Sequence, residues 1–221
     1  MYGSKREHDI VMISTTGYAS RFNCGAIRAS GRVSGGVYGI KVSDRKGSGG
    51  GVVAGMVAML SSDEYILTIS KYGMAKRSRL GTAEKIHDTD AAGEHKFEDD
   101  GSPKMVTDGY RRTKPGAKGV RTMKLDEEHQ DTIISVRTIP DIDDHLFLLT
   151  KSGMMIRIRV SDTKETSGKS TRGTRVMELR DKQKGGFTDE IIFSSRVSAA
   201  LLDVDDEEEA GEAPLHLGEE E

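Results

Sequence analysis

An all-β fold built from propeller-type blades is predicted by three features of this 221-residue chain: a unit of sequence that occurs three times, an apolar/charged alternation within it, and no long segment of helical period. The copies lie at 10–21, 66–77 and 146–157. Each is an apolar run, a short turn ending in glycine (Gly17, Gly73, Gly153), and a second run carrying arginine four residues past that glycine (Arg21, Arg77, Arg157). A second block follows each copy, starting at Gly36, Gly119 and Gly173. The hairpin glycines are 56 and then 80 residues apart, but the longer interval holds a polar insertion at about 84–109, without which the two would nearly match. A period of roughly 50 residues suits a blade of four strands.

Within a unit, the apolar run is the first strand, as in Leu146, Phe147, Leu148 and Leu149. The glycine supplies the positive φ that a tight hairpin turn needs and that a Cβ opposes. The second strand alternates, with Met154, Ile156, Ile158 and Val160 on one face and Met155, Arg157 and Arg159 on the other, so one side is buried and one is wet. A third strand carries the second block, and a fourth is expected over 51–59, 131–139 and 189–197. The blade repeats are then expected at about 9–60, 61–140 and 141–202, followed by an acidic tail at 203–221.

Charge is distributed unevenly along this plan. The net charge of -3 hides ten acidic residues and no Lys or Arg in 203–221, so the rest of the chain is basic by +7. The stretch 84–101 holds seven acidic and two basic residues, which leaves the repeats themselves at +12. A like-charged tail of this kind is expected to be disordered and to compete with a polyanion for a basic face on the same molecule. The longest apolar stretch, 52–60, is far short of the roughly 20 residues that span a bilayer, and the polar start is no signal peptide, so a cytoplasmic address without membrane contact is expected. The single Cys24 has no intrachain disulfide partner.

Enzyme motifs do not survive inspection. Gly168-Lys169-Ser170 imitates the end of a phosphate-binding loop, but Thr163 stands where the earlier glycine is required, and no helix is expected after it. The glycine run at 47–51 lacks a strand-to-helix setting and reads as a turn. Six histidines are scattered, and only His87 and His95, near Asp88, Asp90 and Glu94, come close to a metal-ligand grouping, without persuasive spacing. No catalytic residue, cofactor or metal is expected.

The triplicated unit, the block Gly31-Arg32-Val33-Ser34-Gly35-Gly36-Val37-Tyr38-Gly39-Ile40-Lys41-Val42, and Gly168-Lys169-Ser170-Thr171-Arg172-Gly173 together resemble the C-terminal domain of DNA gyrase A over about residues 9–200. The resemblance implies a six-bladed pinwheel propeller whose basic rim wraps double-stranded DNA and presents it to a separate cleavage core. Its implied partners are the remainder of gyrase A and the gyrase B protein, in an ATP-dependent topoisomerase associated with the nucleoid. The chain departs from that pattern in holding three blades, half or an open part of the ring. It also lacks the heptapeptide of Gln, two Arg and alternating glycines that marks the first gyrase blade, and any region like the winged helix with its catalytic Tyr. The corresponding protein of topoisomerase IV is the near relative.

The residues support DNA binding independently of that resemblance. Arg21, Arg77 and Arg157 recur at one repeat position, and Arg79 and Arg159 follow two residues on. The loops before the second blocks add Arg32, Lys114, Lys118, Lys169 and Arg172. A row of long cations on a rigid surface is what sequence-blind phosphate contact requires, and the scarcity of aromatics argues against stacking on single strands. A propeller serving as a protein-docking platform without DNA wrapping would share the fold. Three blades leave open strand edges, so pairing with another half-propeller or an associating crescent is expected.

Overall fold

The computed structural model describes residues 8–42, 51–59, 65–90, 92–166, 171–180 and 186–202. Lys169, the 168–170 motif, most of the 47–51 glycine run and the acidic tail lie outside the described residues.

Three antiparallel hairpins organise the chain, each folding about the repeated glycine. They are β1 (Asp9–Ser14) with β2 (Tyr18–Asn23), β4 (Tyr65–Ser70) with β5 (Met74–Arg79), and β10 (His145–Thr150) with β11 (Met155–Arg159). Gly17, Gly73 and Gly153 take φ of +81°, +83° and +90°, the left-handed turn that the sequence predicts. Strands β3 (Val53–Ala58), β9 (Ile133–Ile139) and β13 (Ile191–Val197) pair with the first strand of each hairpin. All three pairings shift register at one repeat position, at Ile13/Ser14, Ile69/Ser70 and Leu149/Thr150, so the repeat extends to its bulges. The polar insertion is itself an antiparallel arm, with β6 (Lys85–His87) on β7 (Met105–Thr107) continued by the bridges Thr89 to His95 and Phe97 to Pro103.

The second block departs from the sequence expectation. Strand β8 (Val120–Arg121) pairs with β2, and β12 (Thr174–Arg175) with β5, so each block completes the preceding blade and not its own. The sheet orders are β3-β1-β2-β8 and β12-β5-β4-β9, while the third sheet, β11-β10-β13, has three strands. Close backbone approach accounts for the glycines that open these blocks. Gly119 and Gly173 take φ of +80° and +85°, and a Cβ on either would strike the carbonyl oxygen of Ala19 or Ala75.

The sheets stack face to face over two cores. Val11, Ile13 and Ala19 of the first sheet pack with Ile66, Met123 and Ile133; Leu67, Ile69 and Ala75 of the second pack with Leu146, Leu148 and Ile191. A buried Leu or Ile contributes roughly 1.5–3 kcal/mol, and these alternating apolar positions are what hold blade to blade. Tyr110 crosses the first interface and hydrogen-bonds Thr122 through its hydroxyl. No helix among the described residues is long and apolar enough to cross a membrane.

Candidate nucleic-acid interface

The arginine four residues past each hairpin glycine meets three different surroundings. In every hairpin it lies diagonally across from the first residue of the opposing strand, which is Asp9, Tyr65 or His145. Arg21 is buried; its Nε donates to Asp9 Oδ2 at 2.7 Å, and its Nη1 donates to the carbonyl oxygens of Leu80, Gly81 and Tyr110 at 2.6, 2.9 and 3.1 Å. It thus ties the first blade to the second, and its guanidinium is taken up by the fold. Arg77 is also buried, with its guanidinium 5.1 Å from the Tyr65 ring centre, and its Nε and Nη1 make no hydrogen bond among the described residues. Arg157 is exposed and donates from Nε to His145 Nδ1 at 2.9 Å.

Coverage by the next repeat separates these cases. The chain leading to β8 runs along Arg21, where the Thr113 amide donates to the Arg21 carbonyl at 2.6 Å, and the chain leading to β12 runs along Arg77, where the Thr166 amide does the same at 3.0 Å. Among the described residues no such crossover lies along β11, and Arg157 faces solvent.

The remaining sequence-predicted cations that fall within the described residues stand at the surface. Arg79 is largely exposed and 3.9 Å from Asp108 Oδ1. Arg32, Lys114, Lys118, Arg159 and Arg172 are exposed as well. Lys118 Nζ sits 4.4 Å over the Tyr18 ring, and Arg121 donates from Nη2 to Tyr18 Oη at 3.4 Å. The hydrogen bond from Arg121 is the main reason that the Tyr18 phenol is pushed below its ordinary range, and Lys118 adds to it.

The structure also brings out cations that the repeat spacing alone did not single out. The crossover between the second and first blades, 111–124, carries Arg111, Arg112, Lys114, Lys118, Arg121 and Lys124 and no acidic residue. The absence of acid between Tyr110 and Leu125 was the available signal. Arg112 is partly engaged, its Nε donating to Asp9 Oδ2 at 2.9 Å; Arg111 and Lys124 are exposed. His87 and His95 meet ring to ring at 4.6 Å on the acidic arm, and among the described residues the one group with metal-ligand proximity is Asp126, Glu128 and His129, a surface cluster within 4.8 Å.

Sheets that trade strands with their neighbours, stack over shared cores and carry cations on the crossovers define a propeller-type repeat domain with a basic surface. The family described as the DNA gyrase C-terminal domain, a β-propeller, matches residues 8–48, 104–140 and 144–184, and the chain belongs to that family. Most of the acidic arm falls between the first two matched segments. Similar curated proteins include the DNA gyrase A protein of Haloquadratum walsbyi, 29% identical over 174 residues, which cover 78% of this chain and 16% of that protein. The DNA gyrase A protein of Helicobacter pylori strain J99 is 25% identical over 178 residues, 80% of this chain and 17% of that protein. The chain thus spans about a sixth of the length of these relatives. The solved C-terminal domain of DNA gyrase A superposes with a TM-score of 0.60 at 19% identity, over 86% of this chain and 51% of that one. The C-terminal domain of DNA topoisomerase IV gives 0.62 at 18%, over 92% and 52%.

Proposed function

We propose that this chain binds and wraps duplex DNA without regard to sequence, as the C-terminal part of a type IIA topoisomerase whose cleavage core is elsewhere. The partners on this reading are the remainder of gyrase A and the gyrase B protein, and the place of action is the nucleoid. The observation that carries it is the acid-free crossover at 111–124, whose cations stand on a segment pinned at both ends to the first blade. Lys114 and Lys118 head the contacting set, joined by Arg121 and Lys124, with Arg79, Arg157, Arg159, Arg32 and Arg172 extending it; Lys169 belongs to it by sequence. Arg21 acts one step back, as a strut whose guanidinium holds the Tyr110 carbonyl at the start of the crossover, and Arg77 lies buried beneath the second crossover.

Electrophoretic shift of linear duplex across a salt series tests this. Removing one cation from a phosphate flattens the slope of log affinity against log salt by roughly 0.9, so replacing Lys114, Lys118, Arg121 and Lys124 with Ala is expected to lower it by up to about 3.6. Affinity should fall alike on unrelated duplexes, since phosphates carry no base identity. A folded variant with the wild-type slope removes the crossover from the DNA interface; no duplex binding by the wild type leaves a protein-docking platform.

A further inference from the structure

A cavity of about 310 Å³ opens where the acidic arm leaves the body of the chain. Ser78 lines it from β5, Val120 from β8, Thr166 from the chain leading to β12, and Ile86 and Val106 from the arm. These walls are fixed by backbone bonds. At the root of the arm the Asp108 carbonyl accepts the Ala83 amide at 3.0 Å, and Asp108 Oδ2 accepts the Thr82 amide at 2.8 Å. The Thr166 amide is held by Arg77 O at 3.0 Å. Ile86 and Val106 are register partners across β6 and β7, so they present a fixed pair of aliphatic side chains, 45% and 37% exposed.

Two hydroxyls on this cavity have no bond within the fold. Ser78 is 6% exposed, and its Oγ makes no hydrogen bond among the described residues; the neighbouring Tyr110 hydroxyl is committed to Thr122. Thr166 Oγ1 is enclosed and is likewise without a partner among the described residues. Buried side-chain oxygens are satisfied in the large majority of cases, so two unbonded ones on a single cavity point to a group from outside the chain.

Charge and shape define that group. Lys76, Arg79, Arg111 and Arg121 line the cavity against Asp108 and Glu165, and Asp108 is already engaged by the Thr82 amide and by Arg79 at 3.9 Å. Hydroxyl and guanidinium donors call for an acceptor-rich anion. They come from three separate elements, β5, the 111–124 crossover and the chain leading to β12, which suits the three terminal oxygens of a tetrahedral phosphoryl better than a planar carboxylate. The aliphatic pair on the arm suits an apolar body attached to it. Ligand pockets run from roughly 300 to 1,000 Å³, so a cavity at the small end of that range takes a single ring and no peptide or duplex.

We propose that this cavity binds a small phosphate ester with an apolar or aromatic body, its phosphoryl oxygens on Ser78, Thr166 and Arg111 and its body on Ile86 and Val106. The site goes beyond duplex binding and does not rest on it. A DNA backbone offers the same phosphoryl group without an apolar body for the arm wall, so the two sources are separable by experiment.

Phenyl phosphate is the probe, titrated at millimolar concentration into the isotope-labelled full chain and followed by amide NMR shifts. Saturable shifts are expected at Ser78, Val106 and Thr166, with inorganic phosphate binding more weakly. Ser78→Ala and Arg111→Ala should each weaken phenyl phosphate by about tenfold or more, the loss of a hydrogen bond to a charged group. Ile86→Ser should weaken phenyl phosphate and leave inorganic phosphate unchanged. Arg111 is exposed, so its variant tests the site even where Ser78→Ala disturbs the interior; Arg28→Ala, at an exposed position outside the cavity, should bind as the wild type does. No saturable shift at these residues overturns the inference, and so does binding that survives both Ser78→Ala and Arg111→Ala. Equal affinity for phenyl and inorganic phosphate, with a short duplex shifting the same three amides, assigns the cavity to a backbone phosphate and overturns it as well.

Discussion

Replacing Arg21 with Ala separates a strut from a phosphate contact. The substitution removes a buried ion pair and three hydrogen bonds to backbone carbonyls. Breaking one side of a buried pair costs about 3–5 kcal/mol, because the partner charge is left in low dielectric. Two features moderate it: Asp9 keeps Arg112 at 2.9 Å, and the Leu80 carbonyl keeps the Tyr110 amide at 3.1 Å. Against them, the Gly81 and Tyr110 carbonyls lose the donor, at roughly 1–3 kcal/mol for each one left unsatisfied. A net loss of about 3–4 kcal/mol follows, or roughly 10 °C in melting temperature for a chain of this size. Urea denaturation followed by circular dichroism reads it, with Arg157→Ala alongside. Arg157 is exposed and holds one hydrogen bond to His145, so its loss should stay within about 0.5 kcal/mol while the salt slope of DNA binding falls. An Arg21→Ala protein of wild-type stability and reduced salt slope would refute the assignment, since it would mean that the guanidinium reaches phosphate.

Lys76, fully enclosed with Nζ donating to Thr122 O at 2.6 Å, has its ammonium pushed down by burial to about 8. A lysine weaker in the folded than in the unfolded state destabilises below its folded pKa, and that penalty disappears as pH rises toward the ordinary 10.5. Wild type should therefore gain roughly 3 kcal/mol relative to Lys76→Met between neutral pH and about 10.5, read by denaturation at each pH. Gly119→Ala forces a Cβ onto the Ala19 carbonyl at φ +80° and should cost more than about 2 kcal/mol in urea titration; near-neutral stability would show that β8 does not hold this approach in solution. Changing Asp88, Asp90 and Glu94 of the arm to Ala should leave duplex affinity equal or higher, and a loss of affinity would place the arm at the DNA.

What the residues reveal on their own is local. Apolar runs, glycine turns and the Met155-Arg157-Arg159 alternation define the hairpins, because period and φ preference act within a few residues. The destination of the second block was not legible. Val120-Arg121 and Thr174-Arg175 are too short and too polar to name the sheet they join, and sheet pairing between repeats depends on contacts some 100 residues apart, as between Tyr18 and Arg121. The arginine series shows the same limit. Equal spacing placed Arg21, Arg77 and Arg157 at one point of the hairpin, yet a crossover from the next repeat buries the first two, and the diagonal residue decides what each guanidinium meets: a carboxylate at Asp9, a ring at Tyr65, an imidazole at His145. Surface positions of Arg32, Lys114, Lys118 and Arg172 were easier to expect, since a cation in a connecting loop has few routes to burial, and Arg159 follows from the wet face of the alternation in β11.

Strand exchange also bears on how such a surface could bind a stiff polyanion. A cation on a mobile loop must be ordered when it binds, at roughly 0.5–1.5 kcal/mol for each side chain immobilised, and a free backbone adds to that. The 111–124 crossover has its backbone fixed beforehand: the Thr113 amide is held by Arg21 O, the Thr122 amide by Gly17 O at 2.8 Å, and the Thr122 hydroxyl by Tyr110. Lys118 and Arg121 are ordered further by the Tyr18 ring. The 111–124 segment that joins the second blade to the first thus also carries positive charge with no acidic residue of its own, so loosening that joint should weaken binding even where no cation is removed. Gly119→Ala accordingly predicts a loss of duplex affinity with the salt slope kept, because the number of phosphates neutralised is unchanged while the cost of ordering the cations rises.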